Sequence, residues 1–199
     1  MTNLDLETLR AGNWHLPTAC RGKLIVLRDS YGHLVAHRRD IHLLPKACKR
    51  LQPLEFDIDP VQVVDFGRVI GFQYKTATSP ISIDTPTLFA TRLHRDRPSR
   101  VVLDVQPQPS SSVVVIAKRL RRGNAAVLRS FYVGDRAPPE PHSRNAGNAA
   151  LRYWCENALL YEPEEYFGPP FEATWGEVIT QVAAARHAKR LTSTGVCES

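Results

Sequence analysis

Residues 113–133 constrain the fold more than any other part of the chain. Val113-Val114-Val115-Ile116-Ala117 runs into Lys118-Arg119-Leu120, and a second apolar run over 125–133 follows Arg121-Arg122-Gly123-Asn124. β-branched side chains fit a pleated surface, and glycine beside asparagine supplies the positive φ of a tight turn. The spacing predicts a long β-hairpin, and a hairpin needs further strands or a packed helix to be stable in water.

Other segments supply those partners. A short helix is expected over 4–11, capped by Asn3 and stopped at Gly12. Alternating residues over 23–28 and 33–38 flank Asp29-Ser30-Tyr31-Gly32 and predict a hairpin. Pro45 opens a turn or two of helix over 46–52. Runs 61–66 and 69–74 around Gly67 predict a second hairpin or a bulged strand. Asp84-Thr85-Pro86 looks like a capped helix entry for 87–93, and Pro98 precedes a short strand at 100–103. Proline-rich loops are expected at 106–111 and 135–143, an amphipathic helix over 145–160, a loop at 164–171 and a terminal helix over 174–191, alanine-rich in Val182-Ala183-Ala184-Ala185.

Hairpins without βαβ alternation give an α+β class, an antiparallel sheet with helices packed on one face. The 199 residues suit a single domain. Its core is expected at about 61–161, after an N-terminal helix and hairpin in 1–60 and before the C-terminal helix at 174–191. No apolar run approaches the ~20 residues that cross a bilayer. The start, Met1-Thr2-Asn3-Leu4-Asp5, lacks a secretory pattern, so a cytoplasmic protein without membrane contact is expected. Cys20, Cys48, Cys155 and Cys197 show no C-x-x-C spacing and read as free thiols. His33 and His37 stand four apart, but on a predicted strand they do not form a metal site, and no metal or cofactor is expected.

Charge is uneven along the chain, whose net charge is +6. Arg92, Arg95, Arg97, Arg100, Lys118, Arg119, Arg121 and Arg122 crowd one region against only Asp96 and Asp104. The balance reverses through Glu156, Glu162, Glu164, Glu165 and Glu172. Such separation steers an anionic partner to one face, and a solvated basic face is the plain alternative. RNA is the expected partner.

The order of motifs from about 69 to 161 resembles a bacterial and phage-associated family. It runs through Ile70-Gly71-Phe72, Phe89-Ala90-Thr91-Arg92, Ser99-Arg100-Val101-Val102, Pro107-Gln108-Pro109 and the valine-rich hairpin ending Ser130-Phe131-Tyr132-Val133-Gly134. Glu140-Pro141-His142 and Tyr153-Trp154-Cys155-Glu156-Asn157-Ala158-Leu159 complete it. The layout is similar to metal-independent RNases of the barnase–EndoU–colicin–RelE group, small toxins built on an antiparallel sheet. Three positions depart from the pattern: Thr91 for a basic residue, Ser130 for threonine and Asn157 for histidine.

Metal-independent RNA cleavage needs a base for the 2′-hydroxyl, an acid for the leaving oxygen and cations for the phosphorane. His94 is the candidate base or acid, and Arg92, Arg95 and Arg100 are the candidate phosphate clamps. Ser130 is a candidate donor to phosphate. Tyr132, two residues on, shares its strand face, while Arg129 and Phe131 face the other way. Which of the two faces is core stays open. Arg97, Lys118, Arg119, Arg121, Arg122, Tyr132 and Asn157 are the candidate nucleic-acid contacts, although Asn157 also suits the capping of a backbone group. His142 is a weaker acid–base candidate, and Tyr153 and Trp154 read as core. Two functions follow: an endoribonuclease-like toxin acting on cellular RNA, with an acidic inhibitor or immunity protein as a second partner, or a noncatalytic module of the same fold. The module would engage nucleic acid or an acidic protein through the basic hairpin.

Overall fold

The computed structural model describes residues 6–35, 37–93 and 97–194, and the side chains as far as residue 189. In chain order come α1 (Leu6–Ala11), β1 (Trp14–Pro17), β2 (Lys23–Val26), α2 (Tyr31–Val35), α3 (Leu44–Cys48), β3 (Val61–Asp65), β4 (Gly71–Gln73), β5 (Lys75–Ala77), β6 (Thr87–Arg92) and β7 (Arg97–Val102). β8 (Gln108–Ser110), β9 (Ser112–Arg119), β10 (Ala125–Val133), α4 (Asn148–Glu156), β11 (Asn157–Leu160), β12 (Tyr166–Ala173) and α5 (Trp175–Thr194) follow. The class is α+β. The chain divides into two compact units: residues up to Tyr74 together with Pro107–Arg136, and Lys75–Gln106 together with the residues from Ala137 onward.

The first unit is organised on the predicted hairpin, β9–β10, closed by Gly123 at φ +75°. Its five-stranded sheet has the order β1-β2-β10-β9-β3, antiparallel except for the parallel pair β2–β10. A β-bulge at Arg129 puts two residues of β10 opposite one of β9. Past that bulge Phe131 and Val133 remain on the buried side with Val113, Val115, Ala117 and Leu128. The core face is therefore the Phe131 face, and Ser130 and Tyr132 share the other. Leu9, Leu24, Val26, Leu34, Leu44 and Leu51, none of them exposed, complete this core. A two-stranded ribbon, β4–β8, also belongs to this unit.

The second unit carries a sheet of order β12-β6-β7-β11-β5, again antiparallel apart from one pair, β7–β11. Phe89 packs edge-on against Trp175 with ring centroids 4.8 Å apart, and Trp154, Val178 and Ala173 surround them. Trp175, Val178 and Val182 recur along one stripe of α5, which is why this helix docks. A reciprocal cap starts it: Glu177 accepts from the Thr174 amide at 2.8 Å, and Thr174 Oγ1 accepts from the Glu177 amide at 3.1 Å.

Five local expectations are corrected. The segment after β2 turns into a 3-10 turn at Arg28–Ser30 and then α2, so no second strand follows Tyr31-Gly32. Residues 87–92 form β6 rather than a helix, because pairing with β7 and β12 buries Phe89 and Ala90 completely. Pro98 lies within β7, where a missing N–H is tolerated at a strand's first residues. The helix over 145–160 ends at Glu156 and continues as β11, and the 164–171 loop is largely β12.

Candidate functional site

In the first unit β2 pairs with β10 only over Ala125–Val127, so the rest of that edge is open to another element. α2 packs there. His33, on α2, brings Nε2 to 3.0 Å from Ser130 Oγ, and the tautomer of the ring decides which of the two donates. The His37 ring stands against His33 at 5.0 Å between centroids and 78° between planes. Ser130 is 7 % exposed, whereas both imidazoles and Tyr132 are half-buried. Arg38 and Arg39 follow directly in an exposed turn, and Arg39 donates to the Tyr74 hydroxyl at 3.2 Å. Two imidazoles and a hydroxyl thus gather at this edge, both rings half-buried and His37 Nε2 itself shut off from solvent.

This grouping corrects the sequence reading of His33. Placed on a helix turn and not on a strand, it lies close to His37 and within reach of a residue 97 positions away. The i, i+4 spacing was the available signal, and the misread hairpin concealed it. Among the described residues no three His, Cys, Asp or Glu side chains gather as metal ligands.

Ser130 and Tyr132 belong to the first unit, as do Lys118, Arg119, Arg121 and Arg122. Lys118, Arg121 and Arg122 are exposed, while Arg119 pairs with Asp57. Arg92, Arg97, Arg100 and Asn157 belong to the second unit. His94 and Arg95 lie outside the described residues.

Arg100 does not present its guanidinium to a ligand. It is 4 % exposed, and Nη1 donates to the carbonyls of Trp154 at 3.3 Å, Cys155 at 2.9 Å and Asn157 at 3.3 Å. These are the orphan acceptors at the C-terminus of α4, where a cation also suits the helix dipole. Burial pulls the Arg100 pKa below its usual value. Asn157 caps the same helix end, its amide donating to the Tyr153 carbonyl at 2.8 Å. The capping alternative for Asn157 therefore describes it.

The second unit also holds His142, the weaker of the acid–base candidates. His142 Nε2 lies 3.0 Å from the Pro98 carbonyl and 3.6 Å from Glu140, and the two side chains are 3 % and 5 % exposed. Burial is the main reason its pKa lies below the ordinary 6.5, opposed by Glu140 and the Pro98 carbonyl and assisted by Arg97 and Arg186. The arrangement fastens the proline-rich loop to β7. Arg92 and Arg97 face each other across the β6–β7 ladder, both half-buried. Trp154 is core, as expected, with its indole N–H donating to the Pro138 carbonyl at 3.1 Å.

No helix of the described residues is long and apolar enough to cross a membrane. Comparison with known proteins gave no match to any family model, characterised protein or solved structure.

Proposed function

We propose that this chain is a metal-independent, endoribonuclease-like protein whose chemistry is carried by His33, His37, Ser130 and Tyr132 of the first unit. One neutral imidazole takes the proton of an RNA 2′-hydroxyl as its oxygen forms a bond to phosphorus. The other, protonated, gives its proton to the 5′-oxygen as the P–O5′ bond breaks. The products are a 2′,3′-cyclic phosphate and a 5′-hydroxyl, and the two rings end with protonation states exchanged. Ser130 orients His33, and Tyr132 stands on the same strand face to meet the substrate. Arg38 and Arg39 follow His37 in sequence and supply nearby positive charge for the phosphorane.

The observation that carries this reading is the His33 Nε2–Ser130 Oγ contact of 3.0 Å beside a second imidazole. Paired acid and base of this kind contribute roughly 10²–10⁴-fold to a rate. The motif order that resembles the barnase–EndoU–colicin–RelE group spans about 69–161 and does not include His33 or His37, so this reading rests on the geometry of the first unit and replaces the expected His94.

The test is cleavage of a fluorogenic RNA by purified protein in EDTA. A bell-shaped pH–rate profile is expected, with its acid limb lost in one histidine variant and its alkaline limb in the other. RNA left intact at every pH, with and without Mg2+, removes the enzymatic reading and leaves the noncatalytic module.

A further inference from the structure

A separate surface of the first unit is formed by two segments about a hundred residues apart. The Asn124 side-chain amide donates to the Cys20 carbonyl at 3.0 Å, and the Lys23 amide donates to the Asn124 carbonyl at 3.0 Å. These bonds fasten loop 18–23 to the β9–β10 turn. Loop 18–23 is itself closed by Thr18 N–H to the Gly22 carbonyl at 2.8 Å and Gly22 N–H to the Ala19 carbonyl at 3.2 Å.

Cys20 and Arg21 both sit in the left-handed region, at φ 54° and 57°. Successive non-glycine residues adopt that conformation only where their surroundings over-determine it. Gly22 shows how tightly the loop is held: a Cβ there would lie 2.6 Å from Thr18 Oγ1 and 2.7 Å from Pro53 Cγ.

The joined segments carry Arg21, Lys23, Arg121 and Arg122, and β9 adds Lys118 just before the turn, all five exposed. Lys23 is registered beside Ala125 and Lys118 beside Val127, so both side chains leave the sheet on the face opposite Leu24, Ala126 and Ala117. β10 alone separates their strands, which sets them about 10 Å apart across the sheet. None of the five is paired with a carboxylate among the described residues, whereas Arg10, Arg119 and Arg136 of the same unit each are.

We propose that loop 18–23, turn 120–124 and the adjoining end of β9 form one rigid cationic platform, Arg21, Lys23, Lys118, Arg121 and Arg122, that binds the sugar–phosphate backbone of a nucleic acid. An acidic protein fits less well. Protein interfaces rest on buried aromatic or aliphatic anchors, and Leu120, at 38 %, is the one exposed large apolar side chain within the two segments. A phosphate backbone needs cations alone and takes its affinity from counterion release. The platform is independent of cleavage, because none of its residues belongs to the imidazole pair.

The test uses a fluorescent 2′-O-methyl oligouridylate, which lacks the attacking hydroxyl, so binding is read whether or not the protein cleaves RNA. Five backbone contacts predict a slope of log K against log[salt] of about −3.5 on a single strand. Arg21→Ser/Arg121→Ser/Arg122→Ser should reduce its magnitude by about 2 and weaken binding by at least roughly tenfold at low salt. Asn124→Ala keeps every cation but unfastens the loop, and a several-fold loss is expected from a protein with an unchanged circular-dichroism spectrum. A triple variant with the wild-type slope would overturn the proposal. So would Asn124→Ala binding that equals wild type, since the cations would then act as unconnected solvated groups. Polyglutamate displacing the probe at equal charge concentration would reassign the surface to an acidic protein.

Discussion

Each unit sets a histidine near a strand, and the two are treated in opposite ways. His33 meets a neutral hydroxyl and keeps part of its ring in solvent. His142 meets a carboxylate and a carbonyl and is withdrawn from solvent almost entirely. An imidazole that turns over protons needs access to water or substrate and a partner that tolerates both charge states. One buried with a depressed pKa resists protonation and so holds a fixed set of contacts. Under the proposed function, the difference separates a group placed for chemistry from one placed for structure.

The sharpest way to break that contrast is to remove each imidazole in turn. His33→Ala and His37→Ala should each lower RNA cleavage by roughly 100-fold or more with little change in melting temperature. His142→Ala should do the reverse, leaving kcat of the folded protein unchanged while lowering the melting temperature. Equal losses of kcat at all three positions would erase the distinction.

Arg100 extends the structural side of the comparison. Arg100→Ala removes the guanidinium from three helix-end carbonyls, of which Trp154 keeps the Trp175 indole N–H and Cys155 the Ile81 amide, and should cost about 2 kcal/mol, read as a lower urea midpoint. Arg100→Lys should recover much of this, because all three carbonyls converge on the single atom Nη1 and an ammonium carries three donors.

A third expectation follows from pH. His142 has a folded pKa below its unfolded value, so between the two the unfolded chain binds the extra proton. Its contribution is intact above pH ~6.5 and declines as pH falls from there to the folded pKa. Thermal melts from pH 8 to 5 should show this decline, and His142→Gln should flatten it.

The smallest effect is expected at Asp40 in the first unit. Burial raises its pKa, opposed by His42 and Arg39, so the folded state favours the neutral acid. Stability from this group is greatest below the unfolded pKa near 3.8 and is lost as pH rises through the folded value. Asp40→Asn should therefore raise the melting temperature slightly at pH 7 and leave it unchanged at pH 3.

What the chain reveals of itself depends on how local the determining contacts are. The β9–β10 hairpin was legible because its valines and its turn are contiguous, and α5 because its alanine-rich run Val182-Ala183-Ala184-Ala185 favours a helix locally. β6 was misread because Asp84-Thr85-Pro86 resembles a helix entry, while Phe89 answers to Trp175 and to two flanking strands. The role of Arg100 was hidden for the same reason, since its acceptors lie 54–57 residues downstream. His33 and Ser130 could be listed separately from the sequence, but only the packing of α2 on β10 makes them neighbours.

The connectivity of the first unit bears on how the protein is made. The chain leaves this unit after Tyr74, builds three strands elsewhere, and returns at Pro107. β2 and its partner β10 are therefore separated by about a hundred residues, a long loop to close before any pairing is gained. On the ribosome, β1 and β2 emerge long before the strand that completes their sheet. Until β10 arrives, the edge of β2 remains open to any other strand it meets, which makes this interval the one in which aggregation or chaperone capture competes with folding.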